Sequence, residues 1–252
     1  MLKITNWPGR SGNNILQILY LLKYSIDNGY SCSSINHPLF NFFYNVDPCS
    51  NKKIDKNFLR IINIDPGKYY KFNKIKSFQL KQIFKKYVNT SFVYQKEKKY
   101  DICFHIRGGD IMKNINRTHS TYVQPPFSFY QKIIEENKGK KICVVYEDTH
   151  NPVVKPLMEK YNWVNFQSSS IQKDLETLAC CETLIGSMGT FWLISFFMSE
   201  CVKKVLYYEN MPWLDTSDWG VESEKISFPN YIKVGEWKNS PEQRKLMLEY
   251  KY

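Results

Sequence analysis

No run of about 18 apolar residues occurs in this chain, so no membrane-spanning helix is expected. The opening residues, Met1 to Asn6, have no apolar core of the signal-peptide kind. The apolar stretch that follows, Ile15 to Leu22, is broken by Gln17 and Tyr20, and a cytoplasmic protein is the expectation. The seven cysteines are odd in number and never stand in Cys-x-x-Cys spacing, which speaks against a zinc ribbon and a disulfide framework. Cys103, Cys143 and Cys180 sit within apolar runs and read as small core residues of a reducing compartment. There is no Asp-x-Asp, and His37, His105, His119 and His150 have no ligand-like spacing, so no metal is expected. A phosphate loop ending in Gly-Lys-Ser/Thr is missing, and so is a Gly-x-Ser-x-Gly elbow, which argues against a kinase, an NTPase and a serine hydrolase. Internal repeats and low-complexity tracts are also wanting.

The chain does have ample material for a core: 43% of its 252 residues are hydrophobic and 16% aromatic. Its net charge is +11. Such a surplus is either a solvated lysine-rich surface or an attraction for a nucleotide, a nucleic acid or an acidic membrane, and charge alone does not choose. The lysines come as scattered pairs (Lys52-Lys53, Lys85-Lys86, Lys98-Lys99, Lys140-Lys141, Lys203-Lys204), not as one basic helix, so no nucleic-acid partner is expected.

From Tyr100 onward strand-like and helix-like runs alternate. Strands are expected at Tyr100–Ile106, Ile142–Tyr146, Trp163–Phe166, from Leu184, and at Lys204–Tyr208. Helices are expected at Phe127–Asn137, Pro152–Tyr161, Ile171–Cys181 and Thr190–Met198. Strands apolar along their whole length, alternating with helices, describe a parallel sheet covered on both faces, with ligands bound at the carboxyl ends of the strands. Before Tyr100 the pattern is looser. A strand at Leu2–Thr5 leads to a buried helix from Asn13 to Asp27 that stops at Asn28-Gly29. Short strands at Ser31–Ile35 and Leu59–Ile64, a helix at Phe78–Tyr87 and a linker at Gln95–Lys99 follow. Ser240-Pro241-Glu242-Gln243 resembles a helix cap, with a last helix running to about Tyr250. The expected division is an N-terminal domain over 1–97, a ligand-binding domain over 98–235 and a C-terminal helix over 236–252.

Three small-residue turns sit where a strand-like run meets a helix-like run: Gly9-Arg10-Ser11-Gly12-Asn13-Asn14, His105-Ile106-Arg107-Gly108-Gly109-Asp110 and Gly186-Ser187-Met188-Gly189-Thr190. Exposed backbone N–H groups at such junctions bind phosphate, and three in one chain point to a diphosphate. Each residue also has a plainer reading. Arg107 fits a salt bridge to Asp110, His105 a core imidazole, Asp174 a carboxylate in a helix's first turn, and Ser187, Thr190 and Asn13 ordinary caps.

These motifs, in this order, resemble the fucosyltransferase superfamily of α-1,2-, α-1,6- and protein-O-fucosyltransferases. Gly9-Arg10-Ser11-Gly12-Asn13 is similar to its Gly-x-x-Gly-Asn loop, His105-Ile106-Arg107-Gly108-Gly109-Asp110 to its His-x-Arg-Arg-x-Asp turn, and Asp174 to Phe191 to its late donor-binding segment. The resemblance implies an α/β protein of GT-B type with two Rossmann-like halves and a parallel sheet in the C-terminal, donor-binding half. It implies an inverting, metal-independent glycosyltransferase that uses no cofactor beyond its nucleotide-sugar substrate, GDP-fucose, and transfers to a glycan acceptor. On that resemblance His105 and Asp174 contact guanine, Arg107 the β-phosphate, Ser187, Gly189, Thr190 and Phe191 the diphosphate, and Gly9, Arg10 and Gly12 the donor. Asn13 reaches the sugar or the acceptor. Gly108 stands where the family has a second arginine, which leaves room for another donor sugar such as rhamnose or xylose, with Arg10 or Arg117 as a substitute cation. A non-catalytic glycan- or nucleotide-binding protein on the same scaffold is the alternative of another class.

The base for the acceptor hydroxyl is open: Asp110 lies in the right motif, and Glu147 and Asp148 end a strand, where they could hold ribose hydroxyls or begin a polar loop. Tyr122 to Phe127, Trp213 and Trp219 offer rings for an acceptor groove, or packing.

Overall fold

The structure, a computed structural model, describes residues 1–7, 9–45, 75–90, 97–113, 120–208 and 216–251. The strand expected at Leu59–Ile64, Arg117, His119, Trp213 and part of the 95–99 linker lie outside the described residues. The chain divides into two compact units. The first comprises Met1–Tyr94, Leu193–Met198 and Pro212–Gly220, and the second Gln95–Trp192, Ser199–Met211 and Val221–Tyr252.

In the first unit β1 (Leu2–Ile4) leads to α1 (Ser11–Asn28), and β2 (Cys32–Ser34) returns parallel to β1. Every residue from Ile15 to Leu22 is buried, so α1 is enclosed and not merely amphipathic. It ends where Gly29 takes a left-handed φ of +71° and donates its N–H to the Ser25 carbonyl. β3 (Phe40–Tyr44) and β4 (Val88–Thr90) extend the sheet antiparallel, giving the order β1-β2-β3-β4. Neither was expected from the sequence. β3 buries Phe40 and Phe42 and exposes Asn41 and Phe43, an alternation of period two that aromatic richness masks. α2 (Ser77–Tyr87) buries Leu80, Ile83 and Phe84. Phe84 meets Phe197, and Phe196 meets Trp219 edge-on at 5.1 Å, so Trp219 is a core residue, 1% exposed.

The second unit is a six-stranded, wholly parallel sheet in the order β10-β9-β8-β5-β6-β7. Its strands are β5 (Tyr100–Ile106), β6 (Ile142–Tyr146), β7 (Asn165–Gln167), β8 (Cys181–Gly186), β9 (Lys204–Tyr208) and β10 (Glu222–Ile226). The helices are α3 (Asp110–Lys113), α4 (Phe127–Glu136), α5 (Val154–Lys160), α6 (Ile171–Ala179), α7 (Phe191–Met198) and α8 (Pro241–Glu249). α7 begins in the second unit with Phe191 and Trp192. β5, β6 and β9 run as the apolar runs predict, because strands buried on both faces need apolar residues throughout. β10, Glu-Ser-Glu-Lys-Ile, was not expected. It is an edge strand, exposed over its first four residues, and pairing with β9 makes it a strand despite its polarity. The Trp163–Phe166 expectation shifts to Asn165–Gln167, and Trp163 stays 42% exposed. Cys32, Cys103, Cys143, Cys180, Cys181 and Cys201 are all buried free thiols, and burial pushes those of Cys32 and Cys180 up to about 11.

Strand order sets where chemistry can happen. From β5 the chain steps to β6 and β7 on one side, then returns to β5's other side with β8, β9 and β10. The direction of winding therefore reverses between β5 and β8. At such a switch point the loops leaving the carboxyl ends part in opposite directions and leave a crevice. Those loops are the Arg107 turn after β5 and the Ser187–Thr190 turn after β8.

Candidate active site at the carboxyl ends of β5, β6 and β8

Arg107 is the first residue beyond β5, and its side chain is 13% exposed. Its Nη1 donates to Glu147 Oε2 at 2.7 Å, and its Nη2 to Asp110 Oδ1 at 2.7 Å. The salt bridge to Asp110 foreseen as the plainer reading is thus present, and Glu147, from the end of β6, completes a fork. Asp148 lies beside them, accepting the Gly109 N–H at 3.0 Å and the His150 N–H at 2.9 Å, with His150 Nδ1 2.9 Å away. Burial opposes ionisation of Asp148, but the hydrogen bonds from His150 and Gly109 outweigh it and hold the carboxyl below the usual range.

The two glycines are what let these carboxylates come so close. A Cβ on Gly108 would stand 2.5 Å from Asp148 Oδ1, and one on Gly109, whose φ is +60°, 2.2 Å from Glu147 Oε1. An arginine at 108 would collide with Asp148. A glycine at 108 and the nearness of this acidic pair are therefore one structural fact.

Asn151, fully buried, donates its amide to the Arg107 carbonyl at 2.8 Å, while its own Oδ1 accepts the Val153 N–H. It fixes the Arg107 turn from the start of α5. In the sequence its one mark is that it stands before Pro152.

His105 is 3% exposed. Its Nδ1 lies 3.4 Å from Ser187 Oγ, and its ring centroid 5.1 Å from that of Phe191. Burial, helped by the Arg107 charge, pushes its pKa down to about 3, so the ring is neutral at ordinary pH. The imidazole braces β5 against the turn after β8. That turn has a second pin: Trp192 donates its indole N–H to the Ser187 carbonyl at 3.0 Å, with its ring where a Gly186 Cβ would be. The sequence did not single out Trp192. Gly189, at φ +130°, brings its backbone over the Arg107 stem, with an ideal Cβ 3.7 Å from Cδ. Thr190 closes the turn, half-buried.

Asp174 is 8% exposed and engaged at both oxygens, by Gln167 Nε2 at 2.7 Å and the Ser169 N–H at 3.2 Å. Burial raises its pKa against these two hydrogen bonds. It connects to the arginine site through the same loop, since Ser168 Oγ donates to the Glu147 carbonyl. His105, Arg107, Asp110, Asp174, Ser187, Gly189 and Phe191 thus belong to one network at one edge of one sheet.

Gly9, Arg10, Gly12 and Asn13 belong to the first unit. Gly9 has φ +79°, and Asn13 Nδ2 lies 2.6 Å from where its Cβ would be. Arg10 holds the N-cap position with its carbonyl accepting the Asn13 and Asn14 N–H groups. The neighbouring Asn14, not foreseen, is 4% exposed, and its Oδ1 lies 3.2 Å from His37 Nε2. Because His37 Nδ1 accepts the Leu39 N–H, the neutral ring carries its proton on Nε2 and donates to Asn14. Burial lowers the His37 pKa and keeps that form.

A cavity of about 260 Å³ lies between α4 and the face of β5, β8, β9 and β10, with Ile102, Lys132, Lys204 and Glu224 in its wall. None of the site residues lines it, and Lys204 there is bound to Glu222 and Glu224. The chemistry-bearing groups gather instead at the strand ends. Among the described residues, no helix is long and apolar enough to cross a membrane.

No protein-family model matches the sequence, and no curated protein matches it. Solved structures similar in shape include POFUT1 in complex with GDP, at 12% identity over 90% of this chain and 98% of that chain, with a TM-score of 0.47. The E. coli heptosyltransferase WaaC with ADP-2-deoxy-2-fluoro heptose is similar at 12% identity over 80% of this chain and 56% of that one, TM-score 0.37. E. coli ADP-heptose lps heptosyltransferase II is similar at 12% identity over 58% and 44%, TM-score 0.34.

Proposed function

We propose that the chain is a glycosyltransferase of GT-B type that binds a nucleoside-diphosphate sugar at the carboxyl edge of the second unit's sheet. The observation that carries this reading is the coincidence of the Arg107 turn and the Ser187–Thr190 turn with the switch point between β5 and β8. Transfer of a sugar breaks the bond from the anomeric carbon to a phosphate oxygen, and negative charge grows on the departing diphosphate. A guanidinium fixed beside that oxygen stabilises this charge most in the transition state. Arg107 has the planar fork for it, and Glu147 and Asp110 hold the fork in place until phosphate oxygens replace them.

In this reading Ser187, Gly189, Thr190 and Phe191 offer the turn that receives the diphosphate. His105 and Asp174 border the base, and Gly9, Arg10, Gly12 and Asn13 keep the donor- and sugar-contacting roles the resemblance gives them. GDP-fucose is the donor of choice, transfer inverts the anomeric centre without a metal, a glycan hydroxyl is the acceptor, and the compartment is the cytoplasm. Asp110 is assigned the acceptor's proton once Arg107 turns to phosphate, a role supported by its position in the motif and its 61% side-chain exposure. One observation favours a different sugar on the same scaffold. Asp148 stands where an arginine at position 108 would point, so among the described residues this turn sets one arginine against three carboxylates.

A thermal-shift panel of nucleotides and nucleotide sugars tests the reading, because a ligand that binds the native state raises its melting temperature. GDP and GDP-fucose should stabilise, and slow release of free fucose should accompany the donor. Stabilisation by UDP and not GDP would overturn the donor. No response to any nucleotide would overturn the enzyme.

A further inference from the structure

We propose that Asn239 and Arg244, at the far end of the chain, are positioning residues for the Arg107 turn. The inference rests on the function proposed above. Asp110, which holds one arm of Arg107, is the first residue of α3, a helix only four residues long. So short a helix cannot satisfy its own carbonyls and has little stability of its own. The segment from Arg107 to Lys113 is therefore held from outside. Asn151 takes the Arg107 carbonyl, and Asp148 takes the Gly109 N–H.

The C-terminal segment supplies the rest. Asn239 donates its amide to the Ile111 carbonyl at 3.4 Å and the Met112 carbonyl at 3.3 Å. Arg244 donates from Nη2 to the same Met112 carbonyl, and from Nε to Asn239 Oδ1 at 2.8 Å. Asn239 is fully buried, so these bonds are made away from water, where leaving a carbonyl unpaired is costly.

The sequence around them is shaped to present this pair. Asn239 has φ +55°, a left-handed conformation that asparagine tolerates better than most residues. Ser240 caps α8 by accepting the Gln243 N–H, and Gln243 reaches back to the Lys238 N–H and the Glu236 carbonyl. This capping fixes the first turn of α8, from which Arg244 extends. The N-terminal end of α8 thus presents two side chains that grip the carbonyls just beyond Asp110. Through Asp110 they set the direction of the Arg107 fork.

Two readouts separate positioning from general stabilisation. Asn239→Gly keeps the left-handed backbone and removes only the amide, so the protein should fold; Arg244→Lys keeps the charge and loses the fork. Amide exchange at Gly109, Met112 and Lys113 should speed up in both variants, while β5, β6 and β9 keep their protection. Titrated with GDP, each variant should bind about 5- to 10-fold more weakly than wild type, yet in protein already carrying Arg107→Ala the same changes should shift affinity less than about 2-fold. Effects on GDP that are equal with and without Arg107, or exchange unchanged at the turn, would overturn this inference and leave the function standing. Wild-type protein that binds no nucleoside diphosphate would overturn the function, and the inference with it.

Discussion

Replacing Gly109 by alanine strikes the contact on which the site's geometry turns. At φ +60° a Cβ costs roughly 1 kcal/mol by itself. Here it would also stand 2.2 Å from Glu147 Oε1 and 2.6 Å from its Cδ, so the carboxylate must swing away. That breaks the 2.7 Å hydrogen bond from Arg107 Nη1. Glu147 is 28% exposed and Arg107 13%, so solvent screens the loss, and about 1 kcal/mol is a fair magnitude. The sum is about 2 kcal/mol, a fall in Tm of roughly 4–8 °C for a chain of this size.

Gly139 provides the comparison. Its φ is +93°, but nothing lies within 4 Å of an ideal Cβ, so Gly139→Ala carries the backbone cost alone. Differential scanning calorimetry should show Gly109→Ala melting clearly below Gly139→Ala. In protein carrying Glu147→Ala, the Gly109 penalty should shrink to the Gly139 value. Equal penalties in the wild-type background would refute the claim that Gly109 exists to admit Glu147.

Other consequences follow from the same geometry. On the proposed function, Arg107→Ala should lower turnover roughly 10²-fold or more, read as kcat with the nucleotide sugar saturating, because there it is the donor assigned to the departing charge. The unfolded chain protonates His105 near pH 6.5, whereas the folded ring resists until about 3. Its share of stability is therefore intact above 6.5 and is lost as pH falls, by about 2 kcal/mol at pH 5; denaturant titration across this range should show that slope, and His105→Gln should flatten it. Asn151→Ala leaves the Arg107 carbonyl without its amide and should cost about 1–3 kcal/mol in the same titration, with weaker GDP binding than an equally destabilising core change.

The parallel sheet was legible because its inner strands β5, β6 and β9 are largely apolar, and the two turns at the switch point were legible because each is a small-residue break straight after a strand-like run. Most of what escaped the sequence shares one physical reason: pairing supplied from a distance. β10 has no apolar signature and is a strand only through its ladder to β9. Glu147 meets Arg107 from 40 residues away, Asn151 from 44, and Asn239 grips Met112 across 127. No local pattern announces such partners. Trp192 escaped for the opposite reason, since a tryptophan in a largely apolar helix is ordinary until its indole N–H is seen on the nearby Ser187 carbonyl. Asn13 drew notice through its motif, whereas its neighbour Asn14 is the one that His37 holds.

The most direct test of the central claim is a pair of calorimetric titrations, GDP and guanosine, each against wild-type protein and Arg107→Ala. If the guanidinium between β5 and β8 receives the diphosphate, GDP should bind the variant at least about 10-fold more weakly while guanosine binds both alike. GDP binding that is the same with and without Arg107 would contradict the account.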